Sequence, residues 1–388
     1  MLKKLPALCV GLLFTLTAFA ATVQLNKNHP DTYTVRKGDT LWSISAKFLQ
    51  HPWEWPEVWQ ANPQVANPHL IYPGDVLSLA YLNGQLRVTN DGSDSGPRVR
   101  ATQLEDAIKP IPLTSVKGFL KDTRLLNLDE FKNAPHVVAF EDHHIQGTPG
   151  QLAYVRGLDA QPGQQFVLAR VIGRYYEITS KDGQPNRIFR ANMQDRDGRP
   201  SMLWHRGPDH FTLHGNVHLI GYEMLQFGTI QVTKAGSPTS TLVMNSDFEV
   251  SPGDFVLPQS NTTYDYQYVP HAPTSVPADM RVIAFTDALN AVGRLQVVAL
   301  SRGSANGVEN GQTYSIFAPG NVATDRTDYP EDSAKAFFHP KDAKVQLPEE
   351  YIGHVMIFRT FDKVSYGLIM DGIRPVHLGD KLYEPDHS

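Results

Sequence analysis

The segment LVMNSDFEVSPGDFVL, from Leu242 to Leu257, aligns without gaps on LIMDGIRPVHLGDKLY, from Leu368 to Tyr383. Two further blocks recur upstream in the same order. PGQQFVL (Pro162 to Leu168) matches NGQTYSI (Asn310 to Ile316), and GYEML (Gly221 to Leu225) matches GHVMI (Gly353 to Ile357). Ordered blocks repeated at this spacing predict two like units. Each copy is a series of short apolar runs separated by Gly, Asp and Pro, which points to several short strands closing into a small barrel or sandwich. We expect copy 1 over residues 151–258 and copy 2 over residues 281–385. Gly253-Asp254 and Gly379-Asp380 read as hairpin turns entering a strand, not as catalytic acids.

The beginning of the chain has another character. Lys3 and Lys4 precede an apolar run from Leu5 to Leu16 and the triplet Ala18-Phe19-Ala20. This is the layout of a cleaved secretory peptide, and the run falls short of the roughly 18 to 20 residues of a spanning helix. Residues 1–20 are therefore expected to be a signal peptide, with Ala21 starting the mature chain. The single cysteine, Cys9, leaves with it. Disulfides, cysteine nucleophiles and cysteine metal sites are thereby excluded. A formal charge of -5, with Lys and Arg scattered, gives no footprint for nucleic acid or an anionic membrane. With 28 Pro and 29 Gly among many short apolar runs, the mature part reads as mostly β.

Residues 33–81 form a separate unit. Tyr33 and Val35 alternate with polar neighbours as a strand, and Gly38-Asp39 turns the chain. Asp39 or Thr40 can cap a helix whose Leu41, Ile44 and Phe48 share one face. A second helix is predicted from Trp55-Pro56, with Val58 and Trp59 turned inward, ending near Asn62-Pro63. The alternation Leu77, Leu79, Tyr81 then predicts a second strand beside the first. The unit is βααβ.

This pattern of Gly-Asp-Thr-Leu, a tryptophan-bearing second helix and a Pro-Gly-Asp strand entry resembles the LysM family, over about 47 of 388 residues. The resemblance implies binding of N-acetylglucosamine-containing glycan in a shallow groove between two loops. Here those loops are Gly38, Asp39, Thr40 and Leu41, facing Asn67, Pro68, His69, Leu70 and Ile71. Backbone N–H and C=O groups would hold the acetamide, over an aliphatic floor. Leu41 and Ile71 suit that floor and simple core packing equally. Trp42, Trp53, Trp55 and Trp59 fit core and helix packing better than a sugar-stacking platform, two of them lying four apart on one helix. The LQHPWEWPE insertion departs from a minimal member and reshapes one groove wall.

Residues 83–110, with NDGSDSGPR, have the composition of a flexible linker that would leave the module free to search. Residues 111–150 suit short helices before the strand VVAF. The fold class expected is thus α+β and multidomain: a small LysM domain, short helices, and a mostly β C-terminal region with an internal repeat. The order of these parts resembles the type IV pilus secretin-associated protein family, with a FlgT-like C-terminal part. That resemblance implies a role in tying the pilus's outer-membrane secretin to peptidoglycan, in the periplasm near the outer membrane, with a homo-oligomer around the secretin as one arrangement. The long run from Arg174 to Gly215 departs from the compact connection expected.

Enzyme readings find little support. His205, His210, His214 and His218 alternate with Phe211, Leu213, Val217 and Leu219, as on a strand. Positions four apart on a strand stand about 13 Å from each other, too far for one metal ion. His143-His144 is a weak hint in a loop. No HExxH, GxSxG, P-loop or GxGxxG occurs in context, and no carboxylate pair stands out. The expected protein is a non-catalytic, cofactor-free anchor. The competing readings are a LysM-targeted peptidoglycan hydrolase and an anchor for a flagellar or other envelope complex.

Overall fold

The computed structural model describes residues 24–56, 72–82, 85–90, 123–179, 187–192, 216–259, 269–285, 291–330, 333–338 and 341–385. The N-terminal module contains β1 (Thr32–Thr34), α1 (Leu41–Phe48), a single 3-10 turn (Pro52–Glu54), β2 (Val76–Leu82) and β3 (Gln85–Asn90). Most of the expected second helix lies outside the described residues. β1 pairs antiparallel with β2, Tyr33 opposite Leu77. As the helical spacing predicts, Leu41, Ile44 and Phe48 turn inward, packing with Val35, Leu49, Trp55 and Leu77. The expected linker is corrected at its start: Gln85–Asn90 pairs antiparallel along β2 as a third strand. Residues 91–110 lie outside the described residues.

The rest is mostly β. β4 (Thr123–Leu126) and α2 (Leu128–Asn133) precede β5 (His136–Phe140), β6 (Leu152–Arg156), β7 (Gln165–Thr179), β8 (Arg187–Asn192), β9 (Asn216–Lys234), β10 (Thr239–Ser246) and β11 (Phe255–Pro258). A second series follows: β12 (Val282–Phe285), β13 (Val297–Leu300), β14 (Thr313–Ala318), β15 (Val322–Thr324), α3 (Ala334–Phe338), β16 (Lys344–Gln346), β17 (Glu350–Thr360), β18 (Ser365–Gly372) and β19 (Lys381–Tyr383).

Strands β5, β6, β10, β9, β7 and β11 lie side by side in that order, and β11 meets β5 again to close a barrel. Strands β12, β13, β18, β17, β14 and β19 do the same, closed by hydrogen bonds of Val282 with Gly379 and Asp380 and of Leu382 with Met280, where the chain enters β12 and β19. Both barrels therefore run 1-2-5-4-3-6, and the three repeated sequence blocks occupy equivalent strands. The first barrel starts at His136, so VVAF belongs to it and not to a helical segment ahead of residue 151.

One turn recurs at corresponding places. In Ser251–Asp254, Gly253 takes φ +94, the Asp254 N–H donates to the Ser251 carbonyl at 3.0 Å, and the Asp254 carboxylate accepts the Ser251 N–H at 2.6 Å. Gly253 N–H donates to Val137 O at 2.7 Å and Val137 N–H to Asp254 O at 2.8 Å, clasping the first strand. In the second barrel, His377–Asp380 clasps Val282 in the same way. In the module, Tyr72–Asp75 clasps Val35. Gln takes the role of Asp ahead of β6, β7, β13 and β14, through Gln151, Gln164, Gln296 and Gln312. A turn of this kind needs positive φ at its third residue, which explains the glycine in all of these but the 293–296 turn, where Leu295 takes φ +64, and the Asp or Gln satisfies an N–H otherwise without a partner. These acids hold turns, as expected, but the Gly253-Asp254 and Gly379-Asp380 turns are not hairpins. β10 and β11 are not neighbours, nor are β18 and β19, so each chain crosses the barrel end.

β7 and β9 run past the first barrel as a two-stranded arm, with β8 added along β7 and β4 along β9. The run from Arg174 to Gly215 is thus partly strand. The arm's Ile172, Tyr175 and Ile188 pack on the outer face of the second barrel, against Ile283, Phe358 and Tyr366 among others. Hence β12, β13 and β18 carry almost unbroken apolar runs, buried on both faces. Inside this junction Arg190 and Glu223 are 0% exposed and paired at 2.5 Å. The Tyr175 and Tyr366 hydroxyls both donate to Glu223, Tyr175 at 3.4 Å. Arg190 Nη2 also reaches Ile172 O at 3.1 Å, and Gly173 leaves the space its guanidinium fills. Burial and the Glu223 charge raise the pKa of both phenols, so they remain donors. Burial opposes the charge on Arg190, but Glu223 outweighs it and keeps the guanidinium protonated.

Candidate glycan-binding site

The first groove loop begins where the clasp ends. Val35 is bonded to Gly74 and Asp75, so the chain leaving it at Arg36 lies beside the second loop's described end at Tyr72. Arg36–Asp39 is another turn of the same kind: Gly38 takes φ +91, and the Asp39 carboxylate accepts the Arg36 N–H at 2.8 Å. The same carboxylate accepts the Tyr33 hydroxyl at 2.9 Å. Burial and this bond raise the Tyr33 pKa, keeping it a donor. Tyr33 is the member of the loop that motif reading missed; its place six residues before Asp39, at the end of β1, was the available signal.

Thr40 caps α1. Its hydroxyl accepts the Ser43 N–H at 3.1 Å while Ser43 Oγ accepts the Thr40 N–H at 2.9 Å, a reciprocal capping box. Leu41 is 0% exposed and belongs to the core, which decides between floor and packing for this residue. Asp39, Thr40 and Leu41 are therefore engaged in holding the loop's shape. What faces solvent is Arg36, Lys37 and Gly38: two cationic side chains and, at Gly38, backbone that carries no side chain. Asn67, Pro68, His69, Leu70 and Ile71 lie outside the described residues.

The tryptophans separate into two groups. Trp55 lies in the module core, whereas Trp42 and Trp53 are 2% and 4% exposed against the second barrel. Neither of the latter is a sugar platform in this arrangement, and the expectation of a freely searching module is corrected by this contact. Trp59 lies outside the described residues.

Elsewhere a cleft of about 450 Å³ opens between the arm and the second barrel, walled by Ile178, Ile188 and Phe189 on one side and Val282, Ile283 and Leu378 on the other. Its Arg281 is held by Asp279 at 2.6 Å and by Gly379 O at 3.1 Å. His218 stands on β9, while His205, His210 and His214 lie outside the described residues. Among the described residues no helix is long and apolar enough to cross a membrane.

Residues 33–80 match the LysM domain family. The chain is also 36% identical over 64 residues to the uncharacterized protein YqbP of Bacillus subtilis (strain 168), an alignment covering 14% of this chain and 29% of that protein. The chain thus spans under a third of the length of the curated relative it matches. With the strand pairing, the capped helix and the outward backbone at Gly38, the match identifies residues 33–80 as a LysM domain, which indicates binding of peptidoglycan or a related carbohydrate.

Proposed function

We propose that this protein is a non-catalytic periplasmic anchor whose LysM domain holds N-acetylglucosamine-containing peptidoglycan while its barrels hold an envelope assembly, the type IV pilus secretin first among them. The observation that carries the glycan half is the loop at Gly38. The Asp39 and Thr40 side chains are turned to internal bonds, which supports backbone groups at Gly38 as partners for an acetamide; the LysM resemblance assigns the facing side of the groove to Asn67 to Ile71. The secretin half rests on the order of parts in the sequence and on a pair of barrels that leave broad surface beyond the module.

A Gly38→Val chain should lose retention on purified sacculi by about tenfold, equivalent to about 1.4 kcal/mol, since a β-branched residue is strained at φ +91 and reshapes the loop. Full retention would overturn the groove assignment. Incubation of the intact protein with sacculi should release no muropeptides; turnover would instead establish the hydrolase reading. For the partner, crosslinking in native cells with a chain lacking residues 33–81 should recover a pilus secretin. Recovery of flagellar components would keep the anchor and replace the pilus.

A further inference from the structure

The face of the second barrel that meets the module is built around one cross-strand pair. His354 on β17 lies opposite Asp371 on β18. The Asp371 carboxylate divides its oxygens. Oδ1 accepts the His354 backbone N–H at 3.0 Å and lies 2.8 Å from His354 Nδ1, while Oδ2 accepts the Trp42 indole N–H at 3.1 Å. The imidazole stands 4.6 Å from the Trp53 ring and 6.1 Å from the Trp42 ring, centre to centre. His51 backs Trp53 from the module side at 4.9 Å. Tyr351 places its hydroxyl 3.0 Å from His354 Nδ1, and burial together with the Asp371 charge raises its pKa.

Both indoles lie outside the module's own core and inside the cluster of the second barrel. A small module gains nothing within itself from two outward indoles, which in water would form an apolar patch. A buried indole N–H also needs an acceptor, and Asp371 supplies it from the other side of the contact.

We propose that this face is a receptor for the LysM module of the same chain. Asp371 recognises the Trp42 N–H, the His354 ring recognises Trp53, and the two hold the module in one orientation on the second barrel. The exposed Lys37–Gly38 loop stays outside the contact, so a docked module keeps this side of its groove open. The docking itself is independent of what the module binds. Its consequence rests on the glycan reading above: wall and barrels are joined through a fixed pose instead of a slack tether.

The test uses the full chain, labelled with nitrogen-15, and compares relaxation of amides in residues 24–56 with those of the barrels. In the wild type the two sets should share one rotational correlation time. In Asp371→Ala, and separately in Trp53→Ala, the module amides should remain dispersed but report a severalfold shorter time. Trp53 is not a member of the module core, so loss of dispersion is not expected. Independent tumbling in the wild type, or release by neither or only one variant, would overturn the proposal. Because no glycan is present, this result is separable from the outcome of the sacculus experiments.

Discussion

Replacing Glu223 by alanine should destabilise the joined barrels by about 3–5 kcal/mol, the effect of removing one member of a buried ion pair. Arg190 would remain wholly buried with its main counter-charge gone, and the Tyr175 and Tyr366 hydroxyls would lose a shared acceptor. Glu223→Gln keeps the shape and an acceptor oxygen but not the charge, so its loss should be smaller. Replacing both partners, Arg190→Met with Glu223→Leu, should recover much of the stability, because the penalty comes from an uncompensated charge and not from a missing attraction. Denaturant unfolding of the full chain measures all three. A loss under about 1 kcal/mol for Glu223→Ala would mean that water reaches the junction.

Trp55→Ala should act at the other end of the molecule. The side chain is 2% exposed at the centre of the module core, and truncating such a residue costs about 3–5 kcal/mol. A module this small has a total stability of only a few kcal/mol. It should therefore unfold while the barrels do not. Sacculus retention should vanish, and the barrel transition should persist, lowered only by the loss of the module's contact with the second barrel. Retention at the wild-type level would place glycan recognition outside the module.

The parts that sequence reading captured are those set by local chemistry. Gly-Asp turns, the capped helix with Leu41, Ile44 and Phe48 on one face, and the mostly β character all follow from residues close together in the chain. The missed features depend on distant partners. Nothing near Trp42 announces an acceptor at Asp371, 329 residues away. Strand β5 was grouped with short helices because its partners in the barrel are β6 and the far strand β11. Gln85–Asn90 has a polar composition that reads as linker, yet its backbone completes a sheet edge. The sequence does carry one long-range signal: VIAF, VVAL and SYGLIM do not alternate, and a strand that does not alternate is covered on both sides. That cover is the arm.

The clasped turns also decide where these barrels can change length. A turn such as Ser251–Asp254 is tied by four hydrogen bonds to itself and to the opposite strand, so an added residue would undo a seam that closes the barrel. Among the described residues, the connection from third to fourth strand, β7 to β9 and β14 to β17, shows no such tie. There the first barrel carries its arm and the second carries β15, α3 and β16. Growth of the fold is thereby channelled to one edge of each barrel, and a reporter or an added domain would be accommodated there while barrel closure was left intact.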